Sequence, residues 1–167
     1  MAVEPPPRPV PSGDPRAWSQ WPSGALRNVV VLVDGSEVSL HAACLAGQLA
    51  RETGAQVTVL HVRPEPPVFG GLTPAWCGMV EQWREDLEYE IGMRVTEALD
   101  PLGVRWRFCV ESGDPVHRLD QLAAAVDADL IVVGSPACGF LRSLFGFGGA
   151  TATRLLRRER RPVLVVR

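Results

Sequence analysis

Asn28 to Val33, apolar at every position after Asn28 and mostly valine, has the length and character of a strand buried on both faces. Four further strands are read over Gln56 to Val62, Val104 to Val110, Leu130 to Val133 and Pro162 to Val166, with a helix-length segment between each and the next. That alternation constrains the fold strongly. Strands joined by helical crossovers lie parallel, and the crossovers are right-handed, so the chain is read as a doubly wound, five-stranded parallel α/β sheet. Ser36 is placed to cap a first helix running to about Glu52, with Leu40, Ala43, Cys44 and Gly47 on one stripe and Gly54 as its stop. Thr73 and Pro74 open a long second helix as cap and first-turn proline. Its Trp76, Val80, Trp83, Leu87, Ile91 and Val95 recur at helical spacing and are read as core. Asp114 and Pro115 cap a third helix with Val116, Leu119, Leu122, Ala123 and Val126 inward, and Gly149 to Arg158 reads as the last. In the third strand, Arg105 and Arg107 alternate with apolar residues, which indicates a wet face or an edge. Arg63 to Leu72, rich in proline and glycine, is a longer connection than such units usually need and hints at a lid.

The chemistry concentrates in the last 39 residues, Asp129 onward. There LIVVG ends at Gly134, the chain passes Gly139, and a helix begins near Gly148 and Gly149. Glycines let the chain turn off a strand and let a ligand reach the backbone, while the helix start presents unpaired N–H groups and the positive end of its dipole. This is an anion site in outline, suited to phosphate. The pattern Gly134-x4-Gly139-x9-Gly149-Ala150 resembles the nucleotide loop of the universal stress protein family, Gly-x2-Gly-x9-Gly-[Ser/Thr]. The resemblance extends to VDGSE at Val33 to Glu37, GDP at Gly113 to Pro115, ADLIVVGS at Ala128 to Ser135 and the ending PVLVVR. These segments fall in the family's order and span about 140 residues, leaving the N-terminal arm outside.

The resemblance implies strand order 3-2-1-4-5, a Rossmann-like sheet whose switch point lies between the first and fourth strands. Asp34 and Gly134 then converge on one crevice. It implies bound ATP or another adenine nucleotide, with Gly134, Gly139, Gly149, Ala150 and Thr151 toward the phosphates. Asp34 belongs at the nucleoside end, and Val62 offers backbone contacts to adenine. It also implies a homodimer joined through Pro162 to Arg167. Two departures bear on the nucleotide: the first glycine interval has four residues where the family has two, and Ala150 stands where the family carries a hydroxyl. Thr151 lies about 100° further around a helix. For Asp34, a turn or cap ahead of the first helix is an equal reading.

Residues 1–26 form a Pro-rich arm, holding seven of the fifteen prolines and little apolar periodicity, which composition marks as flexible and partly polyproline; residues 27–167 are the folded domain. Trp18 and Trp21 are the arm's large apolar side chains. No run approaches the ~18 apolar residues of a membrane helix, and the arm lacks a signal-peptide apolar segment, so a cytoplasmic protein is expected. A net charge of −2 gives no reason to bind nucleic acid or an anionic membrane. Every basic residue apart from histidine is arginine, which excludes a Walker lysine and a Schiff-base lysine. Cys44, Cys77, Cys109 and Cys138 lack metal-pair spacing and read as free thiols, with Cys44 and Cys109 in the core; His41, His61 and His117 are scattered, so no metal is expected. Cys138-x3-Arg142 lacks the spacer of a phosphatase loop, and the arginines from Arg154 to Arg161 read as a solvated helix end. Three functions are open: a nucleotide-binding regulatory homodimer of the stress type, a dimeric interaction module of the same fold without nucleotide, and an adenylyl-transferring or hydrolytic enzyme. The last lacks a recognisable base, nucleophile or metal set, so no enzyme is expected.

Overall fold

The computed structural model describes residues 26–63, 74–134 and 161–167. The expected arm, the connection after the second strand, and the loop and last helix between residues 135 and 160 lie outside these. The order is β1 (Asn28–Val33), α1 (Glu37–Thr53), β2 (Gln56–Arg63), α2 (Pro74–Leu99), a single 3-10 turn (Asp100–Leu102), β3 (Arg105–Ser112), α3 (Pro115–Ala125), β4 (Leu130–Gly134) and β5 (Val163–Val166). All five strands are parallel and lie in the order β3-β2-β1-β4-β5.

Alternation along the strands divides the core between two faces. Val29, Val31, Val33, Val57, Val59 and Val132 pack under α1 and α2 with Leu40, Ala43, Ala46, Ile91, Val95 and Leu99. Val30, Leu60, Val62, Ile131 and Val133 pack on the other face with Val116, Leu119 and Ala123 of α3. β1 is the central strand, and this two-sided burial is why it reads as a continuous apolar run.

Local chemistry sets the helix ends. Ser36 accepts from Ser39 N–H to start α1, and Gly54 ends it at φ +75°, a left-handed conformation glycine takes without strain. Asp114 accepts from His117 N–H, with Pro115 in the first turn of α3. Asp129 ties the amino end of the sheet, accepting from Arg27 N–H at 2.8 Å and Asn28 N–H at 3.0 Å.

Two core assignments need correction. Among the described side chains, the apolar stripe of α2 is buried toward its C-terminal half: Ile91, Val95 and Leu99 are fully covered, whereas Trp83 is 54% exposed; the Trp76 side chain lies outside those described. The reason is length. Twenty-six helical residues extend about 39 Å, against about 26 Å for the eight residues of β2. Ile91 already lies beside Gly35, just past the end of β1, so the earlier turns of α2 overshoot the sheet. Cys44 is half-buried on α1, taking a weak contact from the Gln48 amide at 3.8 Å, and Cys109 is half-buried against the α3 face. The wet third strand is the sheet edge, where Trp106 and Phe108 pack inward and Arg105 faces solvent.

Candidate functional site

The carboxyl ends of β1 and β4 meet at the first turn of α1. β1 pairs with β4 as far as Leu32 and Val133, after which the two chains leave the sheet on either side of the switch point. Asp34 Oδ1 accepts from Ser36 N–H at 3.0 Å and from the Ser36 hydroxyl at 2.6 Å, closing a side-chain turn. Gly35 follows at φ +84°. The Ser39 hydroxyl donates to the Ser36 carbonyl at 2.9 Å and accepts from Asp34 N–H at 3.2 Å, so this buried serine sews the turn to the helix.

Gly134 completes the junction from the other side. A Cβ at Gly134 would lie 2.9 Å from Ser39 N and 3.0 Å from Ser39 Cα and from the Val38 carbonyl carbon. The absence of a side chain therefore lets α1 press its backbone onto the end of β4. This is a reason for glycine that the sequence did not reveal, distinct from turning or from admitting a ligand. Ser39 is the residue at which the Asp34 turn and Gly134 come together.

Val62 sits on the neighbouring strand, its side chain buried against the α3 face. Gln56 N–H donates to the Arg27 carbonyl at 2.8 Å, and Gly113 N–H donates to the Arg63 carbonyl at 3.1 Å. By strand alternation the peptide groups of Val62 face β1. The β1–β2 register ends at Val33 opposite His61, so Val62 faces the place where β1 has turned away through Asp34 and Gly35. Buried His61 donates its Nδ1–H to the Val33 carbonyl at 3.0 Å, closing the floor between these strands. Gly139, Gly149, Ala150 and Thr151 lie outside the described residues.

Asp34 forms the turn ahead of α1, with one carboxylate oxygen committed to Ser36, while Ser36 itself is the cap. Oδ2 takes no hydrogen bond among the described residues, and the residue as a whole is exposed beside the positive end of the α1 dipole. No cluster of three His, Cys, Asp or Glu suited to a metal occurs among the described residues, and none of their helices is long and apolar enough to cross a membrane.

The sequence profile described as the Universal stress protein family matches residues 25–167. The chain belongs to this family. A universal stress protein of Methanocaldococcus jannaschii is 29% identical over 142 residues, covering 84% of this chain and 82% of its own. The crystal structure of a universal stress protein in complex with cAMP is 27% identical with a TM-score of 0.62, and the likeness covers 86% of this chain and 98% of that one. A universal stress protein of Archaeoglobus fulgidus, solved in complex with dAMP, is 20% identical with a TM-score of 0.58 over 86% of this chain and 100% of its own. At that identity the likeness is one of fold. The chain thus has the universal stress protein sheet and strand order.

Sequence reading singled out neither Ser39 nor the arginines around this end of the sheet. Ser36-x-x-Ser39 is a local capping signal that could have marked the serine. Arg63 and Glu88, which pair across 25 positions, carry no such signal.

Proposed function

We propose that this universal stress protein is a regulatory module that binds ATP or another adenine nucleotide as a homodimer, acting through shape and occupancy rather than turnover. The observation that carries the reading is the convergence of the Asp34 turn and Gly134 on Ser39, at the switch point where doubly wound sheets bind ligands. The relative solved in complex with cAMP supports an adenine nucleotide in this crevice. In this assignment Asp34 Oδ2 accepts from the nucleoside, the Val62 backbone meets the base, and Gly134, Gly139, Gly149, Ala150 and Thr151 belong to the phosphate end. Adenine nucleotide released on denaturing the purified protein and identified by chromatography is the expected result. Asp34→Ala should weaken binding of added ATP up to roughly tenfold, the scale of one hydrogen bond, and should also loosen the start of α1. Binding unchanged in Asp34→Ala would remove this residue from the site.

The dimer is assigned to β5. Ile131 N–H donates to the Pro162 carbonyl at 3.0 Å, so Leu164 and Val166 turn their peptide groups to β4 while Val163 and Val165 turn theirs outward. An apolar edge of this kind invites pairing, and pairing with its own copy gives twofold symmetry through Pro162 to Arg167. Val165→Pro removes an outward donor and leaves the β4 ladder its hydrogen bonds. The expected result is a shift from dimer to monomer in light scattering after size exclusion; a persistent dimer would place the interface elsewhere.

A second reading, a dimeric interaction module without nucleotide, is favoured by Ala150 in place of the family hydroxyl and by the longer interval from Gly134 to Gly139. It shares the β5 edge and differs in leaving the crevice empty of nucleotide.

A further inference from the structure

The middle of α2 touches both turns that frame the crevice. Glu88, Ile91 and Arg94 follow one another at intervals of three and so lie along one side of the helix. Arg63, the last residue of β2, donates Nη2–H to Glu88 Oε2 at 2.8 Å and Nε–H to Glu88 Oε1, a two-point guanidinium–carboxylate pair, and Nη1–H to Glu81 Oε1 at 3.3 Å. The Glu88 side chain is only 14% exposed and that of Arg63 30%, so this pair is far less screened than an ordinary surface pair. The Arg63 carbonyl is meanwhile held by Gly113 N–H. On the other turn, Arg94 Nη1–H donates to the Gly35 carbonyl at 3.1 Å and its Nη2 pairs with Glu37. Ile91 fills the space between, 3.1 Å from where a Cβ on Gly35 would lie.

We propose that Glu88 and Arg94 are positioning residues which, without touching the ligand, hold the Val62–Arg63 strand end and the Asp34–Gly35 turn at the separation a nucleoside requires. This rests on the nucleotide reading above. Glu88 carries most of the effect, because its pair is two-pointed and sheltered, whereas Glu37 stands in solvent and adds little beyond the Gly35 contact. The Glu88 hydrogen bond raises the Arg63 pKa above its ordinary value; burial opposes it, and the nearby charges of Glu88, Glu81 and Glu85 add to it. A cation whose folded pKa is raised contributes stability below its unfolded pKa and loses it only as pH rises through the folded value. Both values lie beyond the working pH range, so titration of Arg63 does not switch the brace.

The test compares Glu88→Ala, Glu88→Gln and Arg94→Met with wild type by calorimetry, using ATP and inorganic tripolyphosphate in parallel. A nucleoside-end role predicts that Glu88→Ala loses about tenfold in ATP affinity while tripolyphosphate moves less than about twofold, with Glu88→Gln recovering part of the loss through its remaining hydrogen bond. Amide exchange in the ligand-free protein should accelerate at Gly113 in Glu88→Ala and at Asp34 and Ser36, whose N–H groups are bonded within the turn, in Arg94→Met. Equal losses for both ligands, or unchanged ATP affinity and exchange, overturn the positioning role. Wild-type protein silent to both ligands overturns the nucleotide reading instead, and the exchange rates still decide whether the two contacts order the strand ends.

Discussion

Gly134→Val should lower the melting temperature by roughly 6 to 12 °C, on the order of 3 kcal/mol in a domain of this size. The crowding falls on backbone. The Cβ alone would stand 2.9 Å from Ser39 N and 3.0 Å from two further backbone atoms, and a helix backbone cannot swing aside as a side-chain tip can. Either α1 lifts from β4, uncovering Leu40 and Ala43, or the end of β4 is displaced. Gly92→Ala is the matching control. Its Cβ would meet Phe108 at 3.7 Å, an ordinary contact, and it replaces glycine inside α2, so stability should rise by about 0.5 to 1 kcal/mol. Thermal scans of both variants check the pair. A Gly134→Val protein melting with wild type would mean that the junction of α1 with β4 is looser than its geometry indicates.

The second large effect belongs to the ligand. With the Gly149 segment proposed for the phosphates, Gly149→Asp puts a side chain and a negative charge where backbone N–H groups would face the anion. Loss of detectable ATP binding is the expected outcome. Ala150→Ser restores the family hydroxyl and should tighten binding by up to roughly tenfold, the worth of one hydrogen bond. Equal ATP affinity in wild type and Gly149→Asp would detach the phosphates from this segment.

Much of the architecture was legible because it is written in short-range chemistry. The β-branched runs, the Ser36 and Asp114 caps and the Gly54 stop each act within a few residues, and each falls where the structure has it. The strand order came from family resemblance, since local pattern alone does not order parallel strands. The stripe of α2 misled at Trp83 because helical periodicity reports a face and says nothing of where the sheet beneath it ends. At the site, Asp34 and Gly134 were found from their places after β1 and β4, but their meeting at Ser39 depends on how closely two backbones pack. The Arg63–Glu88 pair was invisible for the same reason: it joins a strand end to a helix 25 positions later, and only the crossover brings them together.

The central claim, an adenine nucleotide in the crevice between β1 and β4, is tested most directly by titrating the wild-type protein with ATP in a calorimeter, after removing any nucleotide that copurifies. The account predicts saturable heat with one nucleotide per chain, lost in Gly149→Asp and weakened in Asp34→Ala. Absence of heat in both wild type and Ala150→Ser would contradict it and leave the dimeric interaction module as the function of this fold.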